Sequence, residues 1–305
     1  MPFTDVATPN QTQSFLIKRF RDAGIRPRGR HGQNFLVDLN LVRLLVDSAH
    51  VDPRDVVLEV GTGTGSLSAL IARRAAAVVT VEVDHQLFQL AGEQLIDVTN
   101  VTMLREDILE TKSRINPVVL DVVRARLAEA PDRRFKLLAN LPYNIATPLI
   151  SNLLAGELVP RTMTVTIQKE LADRMNAVPS TKDYSALSIW VQSQCRVEVV
   201  RIMPPTVFWP RPKVDSAIIH LSVDDALRAR IADLAFFHEF VRAMFFHRRK
   251  FLRSVMASAF KDRLSKAAAD QILAQFGLTP TSRAEELDVP LMIALAETVR
   301  EAVGR

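Results

Sequence analysis

From residue 56 to about residue 222, short β-branched runs alternate with segments of helical periodicity, and this alternation is the feature that most limits the fold. It predicts an α/β unit built on a mostly parallel sheet, because helices that follow strands in turn serve as the crossovers between parallel neighbours. Strands are expected at 56–60, 78–83, 101–104, 135–140 and 164–167, with helices between them, for example at 67–74 and 86–95. A helical stretch at 187–194 leads to strands at 196–202 and 217–221, joined by a Pro-rich loop. Without a crossover helix these two should be antiparallel at the sheet edge. The stretch 113–134 is longer than a plain connection needs. From about residue 224 the strands stop, and segments near 236–259, 266–276 and 290–303 are helical. Two domains follow: 1–223, α/β with an N-terminal extension, and 224–305, all-helical.

Composition removes whole classes of function. The chain has 305 residues and one cysteine, Cys195, which excludes both an internal disulfide framework and a thiolate-rich zinc site. His85, His220, His238 and His247 show no metal spacing, so no metal is assigned. The polar start MPFTDVATPNQTQ has no signal-like apolar core, and no apolar stretch approaches the roughly 20 residues that span a bilayer. A soluble protein of the cytoplasm is expected. Net charge is +5, and the basic residues cluster at Arg26, Arg28 and Arg30, at Arg211 and Lys213, and at Arg248, Arg249, Lys250 and Arg253. Three such clusters suit a polyanion, and most of the last one should share a helical face.

The candidate chemistry lies at the ends of successive strands. Gly61-Thr62-Gly63-Thr64-Gly65 follows the first strand and opens a helix, which lets backbone approach a ligand at the carboxyl edge of the sheet. Ser66 stands where a dinucleotide fingerprint would carry its third glycine, and no pyrophosphate-cradling lysine follows, so a nucleoside cofactor is favoured. Glu82, at the end of the second strand, can accept from both ribose hydroxyls. Asp107, after the third, can accept from an adenine amine while Ile108 packs on the ring. After the fourth comes Asn140-Leu141-Pro142-Tyr143. The exocyclic amine of adenine is planar and weakly nucleophilic. Two acceptors, the Asn140 side-chain oxygen and a backbone carbonyl held by Pro142, can draw it toward a tetrahedral state while Tyr143 stacks on the base. Together these features describe a site for S-adenosylmethionine (SAM).

GQNFL at 32–36, GTGTG, Glu82, Asp107, NLPYN, Gln168-Lys169-Glu170 and the run PPTVFWPRPKVDS at 204–216 resemble, in order, the KsgA-type small-subunit (16S) rRNA adenine N6,N6-dimethyltransferases. His31 departs from the family, which usually has an apolar or aromatic residue there. The resemblance implies a Rossmann-like SAM-dependent methyltransferase sheet, mostly parallel with an antiparallel edge strand, and a C-terminal helical domain that helps bind RNA. It implies SAM contacts from Asn34, Leu36, Gly61, Glu82, Asp107 and Asn140. It further implies that Asn140 and the Leu141/Pro142 backbone orient the target amine, with Tyr143 and Phe208 holding the flipped base. The substrate implied is a pair of adjacent adenines in the 3′-terminal hairpin of 16S rRNA, in a partly assembled 30S subunit, with the enzyme acting as a monomer. A 23S rRNA adenine methyltransferase and a non-catalytic assembly or transcription factor on the same fold are the alternatives. The PKVDS loop and basic helical domain disfavour the first, and the intact acids Glu82 and Asp107 the second.

Overall fold

A computed structural model describes residues 13–25, 33–248, 250–261 and 263–305. Helix α1 (Gln13–Asp22) precedes a short strand β1 (Phe35–Leu36) and helix α2 (Leu39–Ser48), whose N-cap Asp38 accepts the N–H groups of Asn40 and Leu41. Then come β2 (Asp55–Val60), α3 (Ser66–Ala72), β3 (Ala77–Val81), α4 (His85–Gln94) and β4 (Val101–Leu104). The hairpin strands β5 (Leu109–Thr111) and β6 (Arg114–Ile115) lead to α5 (Pro117–Ala128), β7 (Arg134–Asn140), α6 (Ala146–Ala155) and β8 (Thr162–Gln168). Next are α7 (Lys169–Met175), α8 (Ala186–Gln192), β9 (Cys195–Met203), β10 (Phe208–Trp209) and β11 (Ser216–Val223). The chain ends with α9 (Asp225–Arg228), α10 (Leu234–Phe246), α11 (Leu252–Ala259), α12 (Lys266–Gln275) and α13 (Val289–Ala302).

The main sheet has seven strands in the order β4-β3-β2-β7-β8-β11-β9. The pairs β4·β3, β3·β2, β2·β7 and β7·β8 are parallel, as the alternating pattern requires. All six residues of β2 are buried, which explains its near-continuous apolar run at the centre of the sheet. Val57, Val78, Leu138 and Ile218 share one cluster with Leu45 of α2 and Ile71 of α3. The long stretch 113–134 resolves into the second strand of a hairpin and an ordinary crossover helix: Asn116 caps α5, Pro117 occupies its first turn, and α5 packs on β2, β3 and β7.

Two features escape local pattern. Helix α1, which follows the polar start and was not expected, buries Leu16 and Phe20. The two-stranded ladder β1·β10 pairs Phe35 with Trp209 and Leu36 with Phe208, joining the GQNFL and FWP motifs. Phe20 stands edge-on to both Phe35 and Trp209, at ring separations of 5.0 and 5.3 Å.

Internal contacts divide the chain into two compact units. One holds the described residues up to Leu149 with Pro160–Lys169 and Val200–His220; the other holds Ile150–Val159, Glu170–Val199 and Leu221–Arg305. In the second unit Trp190 lies 4.1 Å from the ring of His238, and the buried Tyr184 donates to the Leu287 carbonyl at 2.8 Å. Burial pushes the Cys195 thiol up to about 12, which leaves it protonated and inert at neutral pH. The continuous helix expected over 236–259 is broken. The chain leaves helical geometry at His247, and the N–H of Leu252 goes to the Ser282 carbonyl at 2.8 Å instead of continuing α10. Among the described residues, no helix is long and apolar enough to cross a membrane.

Candidate functional site

A cavity of about 230 Å³ opens where β2, β3 and β7 end, bounded by the glycine turn, the β1 segment and the residues after β4. The turn is glycine-rich for a steric reason. Gly61 and Gly63 have φ of +84° and +57°, and a Cβ on Gly61 would lie 3.4 Å from Pro142 Cδ, while one on Gly63 would lie 3.1 Å from the Phe35 ring. Two motifs distant in sequence, those of Phe35 and Pro142, therefore close on this turn.

Glu82 is 5% exposed; Oε2 accepts the Gly63 N–H and Oε1 the Asp84 N–H, both at 3.0 Å. Burial pushes its carboxyl above the ordinary range, with those two bonds opposing the shift. The remaining lone pairs can accept from hydroxyls. Asp84 is the N-cap of α4 and accepts from Gln86 and Leu87. Asp107 is exposed at the rim, where Oδ1 accepts the Leu109 N–H at 2.9 Å, and Ile108 behind it is buried.

Glu59 belongs to this site as well, although no motif in the sequence singles it out. It is 0% exposed and lines the cavity. Its Oε2 accepts from the Ser68 hydroxyl and, at 2.6 Å, from Thr80, whose hydroxyl also meets that of Thr62 at 2.6 Å. Its Oε1 has no hydrogen-bond partner. Burial, aided by the nearby Glu82 charge and opposed by the Ser68 and Thr80 bonds, pushes the carboxyl up to about 7. The signal was present: an acid between the apolar Leu58 and Val60, two residues before a glycine turn, must find compensation somewhere. Glu59, Glu82, Glu106 and Asp107 line the cavity, and no Lys or Arg is among its described lining residues. Such a cavity attracts a cation and repels a pyrophosphate.

Asn140 ends β7 with its side chain held. Nδ2 donates to the Asn34 carbonyl at 2.8 Å, which leaves Oδ1 as the atom that can accept. The Leu141 N–H goes to the Thr166 carbonyl at 3.2 Å, and the Pro142 carbonyl accepts the Ile145 N–H at 3.1 Å with one lone pair to spare. Asn34, Leu36, Gly61, Glu82, Asp107, Asn140 and Pro142 thus meet around one cavity. Leu141 is buried and does not line it, and Tyr143 is half-buried with its hydroxyl 2.6 Å from Ser216 Oγ. Phe208 is placed differently from the expectation. It is 2% exposed, packed with Leu36 and Met203 in the core, so its ring offers no open face to a base in this conformation.

The basic clusters also separate. Arg211 and Lys213 are exposed in the loop before β11, and Lys250 is exposed between α10 and α11. The shared helical face expected for 248–253 is absent, because those residues straddle the break. Arg248 donates to Glu285 at 2.5 Å and to the carbonyls of Lys182 and Thr181, and Arg253 pairs with Asp270 at 2.8 Å. Arg26, Arg28, Arg30, His31 and Arg249 lie outside the described residues. Among the described residues, no group of three or more His, Cys, Asp or Glu is arranged to hold a metal.

With this geometry in place, the chain can be set beside known proteins. A family model described as ribosomal RNA adenine dimethylase matches residues 25–297. The ribosomal RNA small subunit methyltransferase A of Geobacillus kaustophilus is 36% identical over 304 residues, covering 99% of this chain and 100% of that protein. Its namesake in Lactiplantibacillus plantarum is 38% identical over 302 residues, covering 98% and 97%. Among solved structures, a dimethyladenosine transferase from Plasmodium falciparum aligns with TM-score 0.70 and 22% identity over 87% of this chain and 97% of that one. The 23S rRNA methyltransferase ErmE aligns with TM-score 0.59 and 22% identity over 87% and 99%. At that identity the two structures establish a shared fold.

Proposed function

The chain belongs to the ribosomal RNA adenine dimethylase family, and from that premise we propose that it transfers methyl groups from SAM to N6 of two adjacent adenines in the 3′-terminal hairpin of 16S rRNA, within a partly assembled 30S subunit. The observation that carries this reading is the Asn140 amide, whose bond to the Asn34 carbonyl points its acceptor role to Oδ1 at the cavity edge. When bound, SAM would supply a methyl group on a sulfonium, whose sulfur takes the electrons of the broken S–C bond and leaves as a neutral thioether. Asn140 Oδ1 and the carbonyl of Leu141 or Pro142 accept the two N–H bonds of the target amine, so its lone pair is freed toward the cavity without prior deprotonation. Tyr143, half-buried beside these acceptors, stacks on the flipped base.

The cavity suits the cofactor on its own chemistry. Glu82 holds the ribose, Asp107 and Ile108 the adenine, and Asn34, Leu36 and Gly61 close the wall. Glu59, with its buried and unpartnered Oε1, holds a proton up to about pH 7, and a cationic ligand beside it favours the charged form. Phe208 contributes through the ladder that fixes Leu36. Phosphate contacts are assigned first to Arg211, Lys213 and Lys250, because Arg248 and Arg253 already have carboxylate partners; Arg26, Arg28, Arg30 and Arg249 join them on sequence grounds. The helices beyond residue 224 serve as the RNA-gripping part.

The 23S alternative has less support, since relatives named for the small subunit match nearly the full chain. Incubation of unmethylated 30S particles with the protein and labelled SAM, followed by mapping of the modified bases, tests the assignment. Two dimethylated adjacent adenines near the 3′ end are expected, and methyl groups on 23S rRNA instead would overturn it.

A further inference from the structure

We infer that Ser216 is a positioning residue for methyl transfer, acting through Tyr143; this rests on the reading of Tyr143 as the ring that stacks on the target base. The two hydroxyls lie 2.6 Å apart, and Ser216 is 0% exposed, so the bond competes with no solvent at its inner end. Ser216 opens β11, the neighbour of β8 in the sheet. Its predecessor Asp215 offers its carbonyl to the N–H of Lys169, the residue after β8, at 2.9 Å. The backbone on the other side is equally tied: Asn140 pairs with Thr166 in the β7·β8 ladder, and the Leu141 N–H donates to the Thr166 carbonyl. Tyr143 is therefore held at both ends, by its chain at β7 and by its hydroxyl at β11.

A tyrosine with a free hydroxyl can turn about χ1 and χ2. A ring that must lie flat against a base beside Asn140 has only a narrow range of useful orientations. A serine hydroxyl at the buried end of a strand fixes that orientation without touching the base or the cofactor. This accounts for why the last residue of the PKVDS motif bears a hydroxyl at a fully buried position. Neither Tyr143 nor Ser216 lines the cavity that the cofactor residues surround, so loss of the Ser216 bond should leave SAM binding alone.

The test is a double-mutant cycle with four variants: Tyr143→Phe, Ser216→Ala, the two combined, and Tyr143→Ala. Methylation of unmethylated 30S particles gives kcat, calorimetry with SAM gives cofactor affinity, and thermal melting confirms folding. Tyr143→Phe and Ser216→Ala should each lower kcat by about tenfold, with SAM affinity unchanged, and the combined variant should be no slower than either single one. Full activity in both single variants, with activity lost in Tyr143→Ala, would show that the ring works untethered and overturn the inference. Additive losses would overturn it too, since independent roles multiply. Full activity in Tyr143→Ala would instead remove the stacking role of Tyr143, and the inference with it. Tyr143→Phe keeps the readout meaningful if Ser216→Ala folds poorly.

Discussion

Strands β2 and β7 are neighbours, and their two ends treat buried charge in opposite ways. At the amino end, Asp55 is fully buried and meets two cations: Lys136 Nζ lies 2.9 Å from Oδ2 and Arg134 lies 3.0 Å from Oδ1, near enough for attraction though not aligned as a hydrogen bond. Lys136 also donates to the carbonyls of Ala49 and His50, where α2 ends, and Arg134 binds Asp52. At the carboxyl end of the same strand, Glu59 is equally buried but has only two hydroxyls for company and an Oε1 with none. The amino end is electrically complete, and it fastens α2 to the sheet. The carboxyl end is left short of positive charge, which a bound cation can supply.

The amino end should respond most strongly to mutation. Lys136→Met should cost about 3 kcal/mol of stability, because a buried carboxylate loses one of two cations and two helix-end carbonyls lose their donor. Urea unfolding measures this, and cofactor affinity of the folded variant should be unchanged. An unaltered midpoint would mean the amino end is no clasp.

Acid and base should act on the two ends with opposite sign. The Arg134 guanidinium beside Asp52 holds its carboxyl below the ordinary 3.8, so its contribution is present above that value and is lost as the pH falls. Glu59 is raised from 4.5 to about 7, so the folded chain keeps a proton that the unfolded chain has released. Its effect is nil below pH 4.5 and becomes a destabilisation of roughly 3 kcal/mol above pH 7. Glu82, raised as well, adds a fall of the same sign. Cofactor-free protein should therefore lose stability from about pH 4.5 to pH 7, and Glu59→Gln should flatten that slope; an equal slope in both proteins would place the titration elsewhere.

The open end is sharpened by two smaller changes. Asn140→Ala should bind 30S particles almost normally yet slow methyl transfer by at least ~10²-fold, with one amine acceptor gone. Near-normal turnover at saturating SAM would remove Asn140 from the chemistry. Glu82→Ala should weaken SAM binding by about 1.5–3 kcal/mol without affecting RNA binding, and calorimetry on both ligands checks it. An unchanged SAM affinity would move the ribose contact to another side chain.

What the sequence discloses follows the same divide. The parallel sheet and glycine turn are local patterns, and residues 56–60, 101–104 and 135–140 carry them plainly. NLPY and the acids Glu82 and Asp107 could be found because each sits where a strand ends. The β1·β10 ladder, the Thr62–Thr80–Glu59 chain and the Tyr143–Ser216 bond join residues from separate elements, and no period or spacing encodes such pairings. The helix expected through 236–259 failed for a similar reason. Its apolar periodicity is continuous, but the Leu252 N–H and the Arg248 guanidinium find partners in segments distant in sequence. The role that the resemblance implied for Phe208 met the same want of information, because its burial follows from a strand pairing with Leu36 that no local pattern encodes.

The ladder between Phe35–Leu36 and Phe208–Trp209 bears on how the protein is made. Its first strand leaves the ribosome early and its second only after most of the sheet has been synthesised, so the β1 wall of the cavity waits on a late-born partner. A nascent chain that stops short of Trp209 can contain the glycine turn, Glu82, Asp107 and NLPY and still lack the strand that braces Leu36. In this protein, completion of the cofactor wall waits on a strand made about 170 residues after the one it braces.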